Sequence, residues 1–423
     1  MLSITCPPAV RKVADRYKDL VPFSYGALCS LLMLHLLGCA SICEAARVLG
    51  WSPSVSTLDR AVQTFEPNRF MRRLRASVLR RFGEAIKAEP ERFCFVVDDT
   101  LVERFGTNVH ALGHHAHHGK SGVTRGQRVI VLALVDIQRG VALPLAFALC
   151  LNKKDEGYRP LHDLCFGLVE EVILKAGFPP LVTVADSGFD SVALMKRFDE
   201  KDWSFAVEAR SNRKAKRIPS PRARWSSLRD ALHKETKVSV KLGKTSHRKK
   251  ARKTKYVASR FVQLNGRSAL VSACAVYNKP SDAQPFAFYV SNDLEIRGER
   301  LWELSRGRWH IEEMFRTLKQ SLSFLAVPTQ GESATMAAIC LPMALLVEIH
   351  ADPTAWGGTA REPVGTITSR LASKLTWGAI DEMLSGSKRF SICMLRARRP
   401  HKDHRQKPVD PTAEEIRSFL MSA

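Results

Sequence analysis

From residue 1 to about 92, apolar residues recur at three- and four-residue spacing, the period of helices that turn one face inward. The stretch YGALCSLLMLHLLGCA (25–40) is apolar throughout but includes His35 and falls short of the roughly 20 residues of a bilayer span, so it predicts a buried core helix. SICEAARVLGWSPSVSTLDRAVQTF (41–65) has two periodic segments broken at Gly50, Trp51, Ser52 and Pro53. A helix-turn-helix that reads a major groove and two packed core helices joined by a turn both fit it.

At Phe93 the pattern changes. FCFVVDDT is a short apolar run ending in two acids and predicts a buried strand. QRVIVLALVDIQ (127–138) and VALPLAFALC (141–150) predict two more, joined at Arg139-Gly140 as a hairpin. LHDLCFGLVEEVILKAG (161–177) predicts a helix stopped by Gly177 and Pro179-Pro180. LVTVAD (181–186) is an apolar strand ending in an acid, followed by a short helix over 190–199 and the strand WSFAVEA (203–209). Three strands, helix, strand, helix, strand is an α/β order. After residue 210 strand-like fragments (KVSVKL, KYVASRFVQL, SALVSACAVY) alternate with charge clusters, FAFYVSND (286–293) returns to core character, and a long helix is expected over 296–324. Another apolar helix is expected over 334–350, then a Gly-, Pro- and charge-rich end with one amphipathic segment near 366–385.

Composition changes this picture in one respect. The chain of 423 residues is 45% hydrophobic, enough for a sizeable core, but 65 Lys+Arg against 42 Asp+Glu leave a net +23. Residues 211–260 hold 18 Lys+Arg and only Asp230 and Glu235, which places +16 of that charge in one block. Such an imbalance favours a polyanionic partner, a nucleic acid or an anionic membrane surface. Ten scattered cysteines without paired zinc-site spacing read as reduced thiols. The start MLSITCPPAVRKVADRYKD lacks a signal peptide's basic start and apolar core. Together these predict a cytoplasmic protein with no membrane span.

The chemistry concentrates in RGRWHIEEMFRTLK (306–319). At about 100° per residue Arg308, Glu312 and Lys319 share a stripe some 40° wide that borders the face of Ile311, Phe315, Leu318 and Leu322. Glu313 points roughly 140° away. The stripe reads as a functional one or, more plainly, as an i,i+4 ion pair between Arg308 and Glu312. Strands ending in VVDD and VAD put further carboxylates at the rim of a sheet, costly unless they are paired or bound to a cation. Acids converging there from two strands and a helix would repel one another, and Mg²⁺, a hard ion that takes oxygen ligands, relieves that repulsion. Two such ions clamp the attacking and leaving oxygens of a phosphodiester.

With VVDDTLVERFG, VTVADSGFDS and RWHIEEMFRTLK in view, the chain resembles the DDE transposases of bacterial insertion sequences over about 93–350. The subgroup is that with a Tyr-x2-Arg-x3-Glu-x6-Lys signature, whose spacing Arg308, Glu312 and Lys319 keep. The resemblance implies an RNase H-like mixed sheet with flanking helices, a β-rich basic insertion and an all-α N-terminal domain. The expected division is 1–92 helical and DNA-binding, 93–210 and 286–350 catalytic core, 211–285 insertion, and 351–423 a C-terminal region suited to dimerisation. It also implies Asp98, Asp186 and Glu312 as catalytic metal ligands for two Mg²⁺, with Mn²⁺ able to substitute. Asp98 is preferred to Asp99 because Asp98, Thr100 and Val102 match Asp-x-Thr-x-apolar; alternation alone leaves the two acids open, since they face opposite sides.

Arg308 and Lys319 would then hold phosphates, joined by Ser305 in place of the signature Tyr and by Arg248, Lys249, Lys250, Arg252 and Lys253 of the basic block. The implied partners are the inverted-repeat ends of the element, target DNA and a second copy of the chain when two ends are paired. The implied location is the bacterial cytoplasm, at the nucleoid. A nuclease without strand transfer and an inactive DNA-binding derivative are the other classes compatible with these residues. Trp225, the only Trp in 211–285, matches no motif, which leaves open a hairpin step in which an aromatic stacks on a flipped base. His110, His114, His115, His117 and His118 read as a polar loop or a metal site, and Asp190 as a helix N-cap.

Overall fold

A computed structural model describes residues 6–21, 24–38, 42, 54–104, 109–116, 123–218, 224–240, 254–325, 331–359, 362–372 and 375. The N-terminal part is helical: α1 (Pro8–Tyr17), α2 (Tyr25–Leu37), α3 (Val55–Gln63) and α4 (Pro67–Ala88). Helix α2 opens on Ser24, whose Oγ accepts from the Ala27 N–H, and closes on Gly38 in the left-handed region at φ 72. It is buried from Ala27 to Leu36, as a helix apolar on all sides must be. His35 is buried with it, its Nδ1 3.2 Å from the Leu322 carbonyl. The break at 50–53 lies outside the described residues, so the structure does not bear on the helix-turn-helix.

The sheet begins with β1 (Phe93–Glu103), β2 (Gly113–Ala116), β3 (Val123–Asp136) and β4 (Val141–Leu149). Then come α5 (Leu161–Glu170), β5 (Thr183–Ala185), α6 (Val192–Glu200) and β6 (Phe205–Glu208). β1 pairs antiparallel with β3, and β3 with β4, while β1, β5 and β6 run parallel side by side. The order β4-β3-β1-β5-β6, with only β3 reversed, is the RNase H-like arrangement. The basic stretch adds β7 (Lys214–Arg217), β8 (Ser226–Ser227), the short α7 (Leu228–Leu232), β9 (Val238–Val240), β10 (Lys255–Leu264) and β11 (Leu270–Tyr277). Through β12 (Ala287–Ser291), which pairs with β6 and β11, these strands extend the same sheet, 12 strands in all.

Two long helices follow, α8 (Gly298–Ser321) and α9 (Glu332–Ala351). Helix α8 lies across the sheet, touching β1, β3, β4, β5, β6, β10, β11 and β12. Among the described residues α9 alone is long and apolar enough to cross a membrane, yet 83% of its apolar window is buried. It packs on α2, α3, α4 and β4, and its buried Glu348 pairs with Arg16 of α1 and, at 2.8 Å, with Arg81 of α4. The N-terminal helices are thus fastened to the core by an ion cluster as well as by apolar contact.

Three local expectations change. β1 does not stop at the acids: its ladder with β3 runs on to Glu103 opposite Gly126, so Asp98 and Asp99 lie inside the strand. What ends there is the parallel pairing with β5, whose last pair is Val97 with Ala185. His114 and His115 belong to the short strand β2 rather than to a loop, because that strand pairs with the start of β3. Asp190 does not cap α6, which starts from Ser191; its carboxylate pairs with Arg213 at 2.9 Å. His117, His118, the charge cluster 248–253 and everything after 375 fall outside the described residues.

Candidate active site

Register brings the acids together. Val97 faces Ala185 across β1 and β5, and Ala185 faces Val207 across β5 and β6. One residue further along these parallel strands stand Asp98, Asp186 and Glu208, and Glu208 is opposite Tyr289 across β6 and β12. Residues in one row of a sheet point to the same face, so three carboxyls and a phenol cross four adjacent strands in a line.

Helix α8 covers that face. A Cβ on Gly307 would lie 3.1 Å from Cys94 Sγ and 3.6 Å from Val96 Cγ2, so the absent side chain lets the helix sit this close to β1, with no room for more than a methyl. Cys94, Val96 and Asp98 alternate along β1, which turns Asp98 toward α8. Asp99 takes the opposite face, where Arg128 donates to both its oxygens at 2.7 Å. A carboxylate held in that bidentate clasp is committed to structure.

Arg308 follows Gly307 and reaches into the row. Its Nη1 is 2.9 Å from Glu312 Oε1 and 3.7 Å from Asp98 Oδ2. Burial works against the guanidinium's charge but is outweighed by Asp98, Glu312, Glu208 and Asp186, which raise its pKa together. Burial, and next the repulsion of Asp186, push the Asp98 carboxyl up to about 7, opposed by Arg308 and by the Asp99 N–H, which donates to Asp98 Oδ1 at 2.8 Å. Burial likewise raises Glu208, with Arg308 opposing and Asp186 and Glu312 adding to the rise. Asp186 is fixed by accepting the Gly188 N–H at 2.9 Å, which caps the turn Ser187–Phe189. Glu313 stays outside the group, 3.9 Å from His310.

The donor chemistry suits a hard divalent cation: every candidate ligand is a carboxylate oxygen, and partly buried like charges are what such an ion relieves. Among the described residues no three acids, histidines or cysteines close to ligating distance, and the Arg308 guanidinium stands between Asp98 and Glu312.

The remaining sequence candidates are placed as follows. Lys319 donates to the Leu101 carbonyl at 2.9 Å, three residues along β1 from Asp98, and burial lowers its pKa against the pull of Asp99. Ser305 is buried and its hydroxyl donates to the Trp302 carbonyl at 2.7 Å, so it does not itself face solvent as a DNA contact would. Its other partner is the Tyr289 phenol. Glu208 and Tyr289 are absent from the residues the sequence singled out. Glu208 carried a readable signal, since WSFAVEA is an apolar strand ending in an acid just as LVTVAD is. Tyr289 carried none, because its place depends on strand pairing.

No curated protein matches the chain in sequence. Among solved structures it is similar to a piggyBac transposase in a synaptic complex with hairpin DNA, at 11% identity over 96% of this chain and 79% of that one, with a TM-score of 0.42 that is too low to carry an argument. The family profile described as the transposase DDE domain matches residues 91–347, a span that takes in the whole acid row and α8. That match covers more than half of the sequence, and the chain belongs to the DDE-domain transposases.

Proposed function

We propose that this chain is the transposase of a bacterial insertion sequence, binding the element's inverted-repeat ends, cutting there and joining the freed 3′-OH to target DNA. The observation that carries this reading is the placement of Asp98 and Asp186 side by side on one row, under Arg308 and Glu312 of α8. Asp98, Asp186 and Glu312 are the residues that would hold two Mg²⁺, or Mn²⁺ in their place. When bound, the ions supply an activated water and neutralise charge on the scissile phosphate. Arg308, with its planar fork of donors, is suited to grip a phosphate oxygen beside the cut. Lys319 places a second cation further along β1.

In the same reading the helices of 1–92 contact the end DNA, the stretch after 351 contributes to a dimer that pairs two ends, and the protein works at the nucleoid. The decisive experiment incubates the protein with Mg²⁺, a duplex bearing the inverted repeat that flanks the coding sequence, and a supercoiled plasmid. Cut ends joined to plasmid are the expected product. Cut ends without joining would make the chain a nuclease, and binding without Mg²⁺-dependent cutting would make it a DNA-binding derivative.

The basic block gives a separate prediction. Replacing Arg248, Lys249, Lys250, Arg252 and Lys253 by Ala removes up to five phosphate contacts, so the slope of log affinity against log salt falls by up to about 4.5. Filter binding across a salt series reads this directly. An unchanged slope would remove the block from the DNA interface.

A further inference from the structure

Tyr289 stands in the acid row without any role in the chemistry described so far. It lies opposite Glu208 on the face that α8 covers. Its ring packs against Trp302 of α8, with centroids 5.9 Å apart, and Trp302 also meets Phe286 edge-on at 5.7 Å. These contacts fix the ring, and a Phe would satisfy them equally. The hydroxyl is what needs an account. It reaches Ser305 and lies within the electrostatic reach of both Glu208 and Arg308.

Ser305 already gives its proton to the Trp302 carbonyl. The Ser305 oxygen is therefore an acceptor, and Tyr289 holds a donor that rotation about its C–O bond can turn elsewhere. Unlike Ser305, Tyr289 is only partly buried. Neighbouring strands are about 4.8 Å apart, which sets Tyr289 roughly 10 Å along the row from Asp186. That offset suits a phosphate next to the one at the aspartates.

We propose that Tyr289 is a DNA-contacting residue of this site, its phenol donating a hydrogen bond to a non-bridging oxygen of a backbone phosphate adjacent to the scissile one. Trp302 fixes the ring that carries the hydroxyl, and Arg308 supplies the positive charge beside it. This rests on the reading of the row as the seat of a scissile phosphodiester.

The test uses the full chain and Tyr289→Phe, with the inverted-repeat duplex carrying a single uncharged methylphosphonate at successive positions around the cut. Binding is measured by fluorescence anisotropy without Mg²⁺. Tyr289→Phe should keep the wild-type melting temperature and bind the unmodified duplex about tenfold more weakly, the scale of one hydrogen bond to a charged group. One methylphosphonate position should weaken wild-type binding about tenfold yet leave the Phe variant unaffected, while the other positions weaken both alike. A purely structural tyrosine would give no such position, so equal penalties at every phosphate overturn the proposal while leaving the site's function standing. Wild-type protein that neither binds this duplex nor cuts it with Mg²⁺ overturns both.

Discussion

Asp186→Asn is expected to reduce cleavage of end DNA by about 10²–10³-fold, the scale on which charge-stabilising groups act in such sites, while affinity for the same DNA stays within a few-fold of wild type. The substitution keeps the shape of the side chain, and an amide oxygen can still accept the Gly188 N–H that Asp186 accepts at 2.9 Å, so the turn after β5 is retained. What it removes is one negative charge beside Asp98, whose carboxyl already suffers from that neighbour. Losing it relieves repulsion, so the variant has no electrostatic reason to unfold. It does weaken the oxygen set offered to a divalent ion, on which water activation would depend. Single-turnover cleavage and anisotropy on the same preparation separate the two effects. Loss of binding together with cleavage would contradict the assigned role.

What the sequence disclosed and what it hid divide along the range of the interactions. The stripe of Arg308 and Glu312 is set by the helix period, which is local, and in the structure the two side chains meet at 2.9 Å. The alternation of strands, helix, strand, helix and strand is local in the same sense, and it carried the core topology. Which of Asp98 and Asp99 faces the site was not local. Alternation says only that they diverge, and the choice is made by α8, more than 200 residues later in the chain, seated on Cys94 and Val96 through Gly307.

The partners of buried charges were equally out of reach. Asp190 meets Arg213 from beyond α6 and β6, and Asp99 meets Arg128 on the neighbouring strand β3, pairings that no spacing rule announces. Glu208 was missed for a different reason. Its strand has the same apolar-then-acid pattern as LVTVAD, but a three-acid motif has no place for a fourth. The basic stretch was readable as β-rich, whereas its merger into the same sheet depends on β12 pairing with both β6 and β11.

Gly307 offers the sharpest test of how closely the helix must sit on the sheet. In a free helix Ala in place of Gly is worth about 1 kcal/mol, and at 307 its Cβ would meet Cys94 Sγ at 3.1 Å, a neighbour that is itself fully buried and has little room to give. Gain and crowding are of similar size, so Gly307→Ala should be nearly neutral in stability. Val adds two methyl groups to the same gap, where Val96 and Val135 already lie at 3.6 and 3.8 Å from the Cβ position. Overpacking of this kind costs about 1–3 kcal/mol, and the cheapest relief is for α8 to rise from β1. Arg308 and Glu312 rise with it while Asp98 and Asp186 stay with the sheet. A displacement near 1 Å between groups that must act on one phosphate costs about 10²-fold in rate. Gly307→Val is therefore expected to lower cleavage by that factor at a temperature where melting curves show it fully folded, with DNA affinity affected much less. If the Val variant cuts as fast as wild type, α8 is not what sets the distance between the Arg308–Glu312 pair and the two aspartates.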